Sequence, residues 1–213
     1  MSQPEMSLPG PLRAALAAER LFVSGLVAEG AETIALLSPD EPGFWAHVTA
    51  APEFADGAPD PLDRWSERVI GRIAAEQGAR ALFPFGGPPH QPFFAWALRS
   101  GQAVSSPVRL MAHARMGLWA SFRGALALPG ALVQVAPAAD PCAPCAAPCT
   151  RVCPVGAMSR EGYNVPLCHD FLDTPEGAEC LERGCLARRA CPIGQTYGRL
   201  EVQSAWHMRH FHR

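Results

Sequence analysis

The chain has 213 residues, 18 basic against 20 acidic side chains for a net charge of −2, and 48% hydrophobic residues, enough for one sizeable domain and a small appendage. Every basic residue other than histidine is arginine, which excludes Schiff-base and lysine-dependent phosphate chemistry. The near balance of charge argues against general nucleic-acid binding.

In chain order, residues 1–10 carry two prolines and read as a loose arm. Residues 11–29 read as a helix with Leu12, Leu16, Leu21, Val23, Leu26 and Val27 on its apolar side, Pro11 in the first turn and Gly30 at the stop. Its charges at Arg13, Glu19 and Arg20 rule it out as a membrane span. No other stretch qualifies, and no secretory segment is visible, so a cytoplasmic chain with reduced thiols is expected. Residues 33–37 read as a short buried strand. Ser38-Pro39-Asp40 turns the chain, and Ser38 or Asp40 is the expected cap of a short helix through Phe44, Trp45 and Val48.

A polar loop over 50–61 leads to a second helix. Asp60 is its expected cap and Pro61 its first residue, with Leu62, Trp65, Val69, Ile70 and Ile73 facing inward. Asp63, Arg64, Glu67 and Arg68 face water, and Gly78 ends it. Residues 79–85 form a short strand, and Gly86-Gly87-Pro88-Pro89-His90 is a turn whose glycines would let backbone approach a ligand. Phe93, Phe94, Trp96 and Leu98 suggest a short helix ending near Gly101. Strands are expected over 108–112, 118–128 and 131–135, with Pro129-Gly130 as a break and 136–141 as a linker. Within them, Arg123 reads as a structural salt bridge, and Trp96, Trp119 and Phe122 as core. The fold class is α+β.

All eight cysteines lie in the next fifty residues. Cys142, Cys145, Cys149 and Cys153 read C-x2-C-x3-C-x3-C-P. Cys168, Cys180, Cys185 and Cys191 are spaced more widely and also end in C-P. Cys153-Pro154-Val155-Gly156 and Cys191-Pro192-Ile193-Gly194 echo each other. This pattern resembles that of two-cluster bacterial ferredoxins, in which the cysteine before proline ligates the other cluster. The resemblance implies two [4Fe–4S] clusters, one held by Cys142, Cys145, Cys149 and Cys191, the other by Cys168, Cys180, Cys185 and Cys153. Two four-cysteine zinc sites would also use all eight residues, although such sites usually show two C-x2-C knuckles each and only one is present. Four disulfides would require an oxidising compartment. The gaps within the second group are not those of a ferredoxin.

A two-cluster module needs only about 60–80 residues when metal stabilises it. The chain is therefore read as an α+β domain over 1–138 and an iron–sulfur module over 139–213, ending in a basic aromatic tail. Residues 60–72, DPLDRWSERVIGR, and 106–129, SPVRLMAHARMGLWASFRGALALP, resemble segments of the cobalamin-processing CblC family. Epoxyqueuosine reductases and reductive dehalogenases join a domain of that kind to a two-cluster module. Cys168-His169-Asp170-Phe171-Leu172 resembles the lone second-group cysteine of those proteins. The resemblance implies a flavin-reductase-like, CblC/epoxyqueuosine reductase-like sheet-and-helix domain followed by a small ferredoxin-like module. It also implies a corrinoid (cobalamin) or other redox ligand on the first domain, with His113, Arg115, Gly86 and Gly87 as candidate cofactor-binding residues. No catalytic residue is assigned. The expected function is electron transfer to that ligand, with a redox partner protein as donor or acceptor. The alternatives are an electron-relay protein without its own cofactor pocket and a zinc-stabilised interaction module. His169 is a candidate for tuning a cluster through a hydrogen bond to sulfur.

Overall fold

The structure is a computed structural model that describes residues 8–130 and 135–212. In chain order it contains α1 (Gly10–Ala18), β1 (Leu21–Glu29), β2 (Glu32–Pro39), α2 (Phe44–Thr49), α3 (Pro61–Glu76), β3 (Arg80–Leu82) and α4 (Phe93–Arg99). There follow β4 (Ala103–Ser105), β5 (Met111–His113), β6 (Gly124–Pro129), α5 (Val165–Leu172), α6 (Ala178–Arg183), α7 (Leu186–Arg189), α8 (Pro192–Gln195) and α9 (Glu201–Phe211). The class is α+β, with a small antiparallel sheet and several helices. Among the described residues no helix is long and apolar enough to cross a membrane. The chain divides into two compact units, the first running through Gln102 and resuming over Ser121–Ala138, the second formed by Ala103–Ala120 and Ala139–Arg213.

The first unit is built on a four-stranded sheet of order β1-β2-β6-β3, antiparallel throughout. β2 and β6 are the inner strands, with Ala35 opposite Leu126, and Ala81 faces Leu126 from the other side. The long helix expected over 11–29 is not formed. It stops at Ala18, Arg20 adopts φ +53°, and the remainder becomes β1. Phe22, Val23 and Val27 fit a pleated surface better than a helix. β1 pairs with β2 from Leu21↔Pro39 to Glu29↔Glu32, with one register shift between Val23 and Gly25. Gly30, expected to stop a helix, instead turns this hairpin at φ +61°, a conformation open to glycine at little cost.

α3 begins where Asp60-Pro61 indicated, although Asp60 takes φ +50° and makes no side-chain cap bond. Its buried face of Leu62, Trp65, Val69, Ile70 and Ile73 is the expected one, and it packs on β3 and β6. α2 is entered through Gly43 rather than a polar cap. The Ser38 hydroxyl stays in the sheet and donates to Ser24 Oγ at 2.8 Å. Phe44 meets Trp65 edge-to-face at 5.5 Å. Strand structure expected over 118–128 is confined to β6, and the strand expected over 131–135 falls largely outside the described residues. Arg123 is buried, with Nη1 3.3 Å from Asp63 Oδ1, which is the structural pairing expected of it.

The second unit opens with a hairpin, β4 against β5, in register Ala103↔His113, Val104↔Ala112 and Ser105↔Met111. Residues 108–110, read as the start of a strand, lie in its turn: the Ser106 amide donates to Leu110 O and the Arg109 amide to Ser106 O. The sequence placed residues 103–120 with the first domain, yet this segment groups with the cysteines. Arg188 Nη1 donates to Leu118 O at 3.2 Å, and Val108, Ala112 and Leu118 share one buried cluster with Cys149, Met158 and Ala187. The basic aromatic tail is helical as α9 and packs on α6.

Candidate functional site

The cysteines of the first set sit at turns and at a helix start. Cys142 and Cys145 share a tight turn, the Cys145 amide donating to Cys142 O at 3.1 Å. Asp140 Oδ1 accepts from the Cys142 amide at 2.7 Å and fixes the entry to this turn. Ala147 adopts φ +51°, which bends the chain so that Cys149 follows in a 3-10 turn over Pro148–Thr150. Cys191 stands at the head of α8 with Pro192 as the first helical residue. These four cysteines line one cavity of about 400 Å³, together with Ser106 and Leu118 among others. Burial, the charge of Asp140, and the thiols of Cys191, Cys145 and Cys149 push the Cys142 thiol up to about 11. Burial followed by Cys191 and Cys145 raises Cys149.

The second set is assembled from helices. Cys168 lies on α5, Cys180 is buried on α6 and Cys185 heads α7. Cys153 joins them although it is only four residues past Cys149. The Cys180 thiol is raised by burial, opposed by the Leu186 amide, with Cys185, Cys168 and Cys153 adding to the rise. Cys168 is raised by burial, opposed by a hydrogen bond from Tyr163, with Cys185 and Cys153 adding. The Cys185 thiol lies 3.7 Å from Met158 Sδ. The neighbourhoods are therefore Cys142, Cys145, Cys149 and Cys191 on one side and Cys153, Cys168, Cys180 and Cys185 on the other. All eight are free thiols.

Two residues that no motif singled out belong to these neighbourhoods. Tyr163, not His169, is hydrogen-bonded to Cys168, and burial holds its phenol well above the usual range. The His169 ring packs on Phe211 and His212. Gly117 has φ +55°, and a Cβ placed there would come within 2.5 Å of Gly194 N and 2.7 Å of Cys191 Sγ. A side chain at this position would intrude on the very sulfur that closes the first set, so only glycine fits.

The candidate cofactor residues of the first domain are not brought together within one unit. Gly86 and Gly87 lie in the first, where a Cβ on Gly87 would strike the His90 ring at 2.5 Å. His113 and Arg115 lie in the second. His113 is buried, and its Nδ1 accepts from the Arg115 amide at 3.0 Å and the Met116 amide at 3.3 Å. That nitrogen holds the turn to Gly117, whose amide donates to His113 O at 2.8 Å. His113 thus has a structural task that a His-x-Arg pattern does not reveal.

The fit of iron–sulfur groups can be judged from the chain itself. Among the described residues no three His, Cys, Asp or Glu side chains converge as ligands of a single ion. A cube distributes its four thiolates over four separate iron corners. The first set lines a cavity, Gly117 leaves room beside Cys191, and Ser106, which lines the same cavity, has a buried hydroxyl with no hydrogen-bond partner. Apolar walls, four soft sulfur donors and a spare hydroxyl donor suit a sulfur-rich metal group. No family profile, curated protein or solved structure matches this chain.

Proposed function

We propose that the protein is a ferredoxin-type electron carrier holding two [4Fe–4S] clusters, one in each cysteine set. The observation that carries this reading is the crosswise grouping: Cys191 joins the first three cysteines, and Cys153 joins Cys168, Cys180 and Cys185. Four-cysteine zinc sites usually draw on two C-x2-C knuckles each and only one is present, whereas in paired cubes the cysteine before proline ligates the other cluster. When bound, each cube would supply one-electron transfer at a potential set by its surroundings.

The chain's own part is to shape and dry these sites. The turn at Ala147 and the helix starts at Cys185 and Cys191 aim the sulfurs, and burial of Cys149 and Cys180 limits water. Tyr163 directs its hydroxyl proton at Cys168, where it favours the thiolate. Because the thiols of Cys142, Cys149, Cys168 and Cys180 are raised, loading displaces protons from them. A reducing, cytoplasmic setting is part of the proposal, since it keeps the thiols available.

The flavin-reductase-like fold of the first unit and a corrinoid or other redox ligand upon it remain the first form of this proposal. The relay form, in which electrons pass to a separate redox partner protein, is favoured by one observation: His113 Nδ1 is already occupied by two backbone amides. Anaerobic purification with iron, sulfide, zinc and cobalt analysis and EPR tests the core reading, with about eight irons and eight sulfides per chain expected. Zinc without acid-labile sulfide would overturn it. Cobalamin titration of the loaded protein separates the two forms, a spectral shift selecting the corrinoid and its absence the relay.

A further inference from the structure

Ser106 is 3% exposed, and its Oγ is buried without a hydrogen-bond partner. Both of its backbone groups are engaged, the amide with Leu110 O at 2.8 Å and the carbonyl with the Arg109 amide at 2.9 Å. The hydroxyl alone is left over, on a residue held rigidly by the β4–β5 turn. An unsatisfied buried hydroxyl costs about 1–3 kcal/mol, so its retention calls for a partner that arrives with a ligand. Ser106 lies in the wall of the cavity bounded by Cys142, Cys145, Cys149 and Cys191. The rest of that wall is mostly proline, alanine, leucine and isoleucine, which offer no side-chain hydrogen-bonding group.

We infer that the Ser106 hydroxyl donates a hydrogen bond to a sulfur of the first cluster, either a cysteine thiolate or a bridging sulfide, and so sets that cluster's reduction potential above what its apolar cavity alone would give. The inference rests on the iron–sulfur reading of this cysteine set. A donor aimed at sulfur stabilises the reduced cluster more than the oxidised one, because reduction adds negative charge that spreads onto the sulfurs. The second cluster has an analogous donor in Tyr163 beside Cys168. Each set would then carry one side-chain hydroxyl from outside the cysteine pattern, and the two potentials could be adjusted independently. Ser106 is a tuning residue that acts on the potential of the cluster and not on a proton or bond of the reaction.

The test uses the full chain, reconstituted anaerobically, with Ser106→Ala as the first variant. Iron and sulfide content should match the parent, and the potential of one cluster only should fall. A roughly tenfold drop in its reduced-to-oxidised ratio at a fixed poise is expected, equal to ~59 mV for one electron. ENDOR of the reduced parent in D2O should show an exchangeable deuteron coupling that the variant lacks. Should alanine not retain the cluster, Ser106→Thr and Ser106→Val make the comparison at equal side-chain shape. The Thr variant should then hold the higher potential. Equal potentials in either comparison overturn the inference while leaving the cluster reading intact. A parent without acid-labile sulfide removes both.

Discussion

The first unit buries many more large apolar side chains than the second. Among the twelve largest fully buried side chains of the described residues, which include Trp65, Phe44, Leu12, Ile70 and Leu126, only Met116 belongs to the second unit. There one buried cluster is Val108, Ala112, Leu118, Cys149, Met158 and Ala187, with Cys142, Cys185 and Cys191 packed against it, and Trp119, Leu172 and Tyr197 are buried as well. The helices differ in the same sense. α3 runs sixteen residues on an apolar stripe, whereas α6, α7 and α8 have six, four and four residues and serve to present a cysteine or follow one. Helices so short have little stability alone. One unit thus derives its order from apolar burial; under the two-cluster proposal the other would derive much of its order from what its sulfurs hold.

Under the two-cluster proposal, removing iron is the most forceful way to break this comparison. Structural metal sites contribute on the order of 10 kcal/mol, and in a unit of this size 1 kcal/mol moves the midpoint by about 4–8 °C. Iron-free chain should therefore show the second unit melting tens of degrees earlier, with the first unchanged. Hydrogen exchange resolved by segment checks this: α5 and α9 should lose protection while β1, β2 and β6 keep theirs. Equal protection of both units without iron would show that the second has a core of its own.

Single cysteine replacements sharpen it further. Cys149→Ala and Cys153→Ala lie four residues apart, yet they belong to different sets. Each should lower iron from about eight to about four per chain, and the EPR spectrum of the surviving cluster should differ between them. Cys153→Ala should resemble Cys180→Ala, and Cys149→Ala should resemble Cys191→Ala. A Cys153 variant that behaved like the Cys149 variant would show that the sets follow sequence proximity instead.

The same contrast explains what could be read from residues alone. The two sulfur sets were legible because the cysteine spacing and the C-P echo are covalent facts of the chain. α3 was legible because Asp60-Pro61 and a long 3.6-residue stripe agree. β1 was not: Leu21, Val23, Leu26 and Val27 satisfy a loose helical stripe, and only pairing with β2 selects the strand. The placement of residues 103–120 was hidden for a different reason. Their partners are Cys149, Met158, Ala187 and Arg188, tens of residues downstream, and no local pattern encodes such contacts. Ser106 and Tyr163 follow from that placement and carried no signal. The turn-holding task of His113 was likewise hidden, because a histidine that accepts from two backbone amides looks, in sequence, like any other histidine.

In the first unit the expected response is that of an ordinary core. Trp65→Ala removes a buried indole that meets Phe44 edge-to-face. Such truncations cost about 3–5 kcal/mol, and denaturant unfolding should assign the loss to the first unit. Iron content at about eight per chain should persist in the folded variant. Loss of iron on this substitution would mean that the two kinds of order are not separable.

The smallest expected effect concerns protons on the iron-free second unit, measured in the cold where it remains folded. In the unfolded chain a thiol ionises near ~8.5. In the folded unit Cys142 is pushed up to about 11, first by burial, and Cys149, Cys168 and Cys180 are raised as well. Between those values the folded state holds more protons than the unfolded one, so stability falls as pH rises. The slope should be absent at pH 7, begin above about 8.5, and for Cys142 flatten beyond about 11. Loaded protein should lack this alkaline slope, because a thiolate bound to iron has no proton to lose. Denaturant midpoints of both forms from pH 7 to 10 measure the difference. An identical slope in the two would show that the raised thiols are not the ones iron occupies.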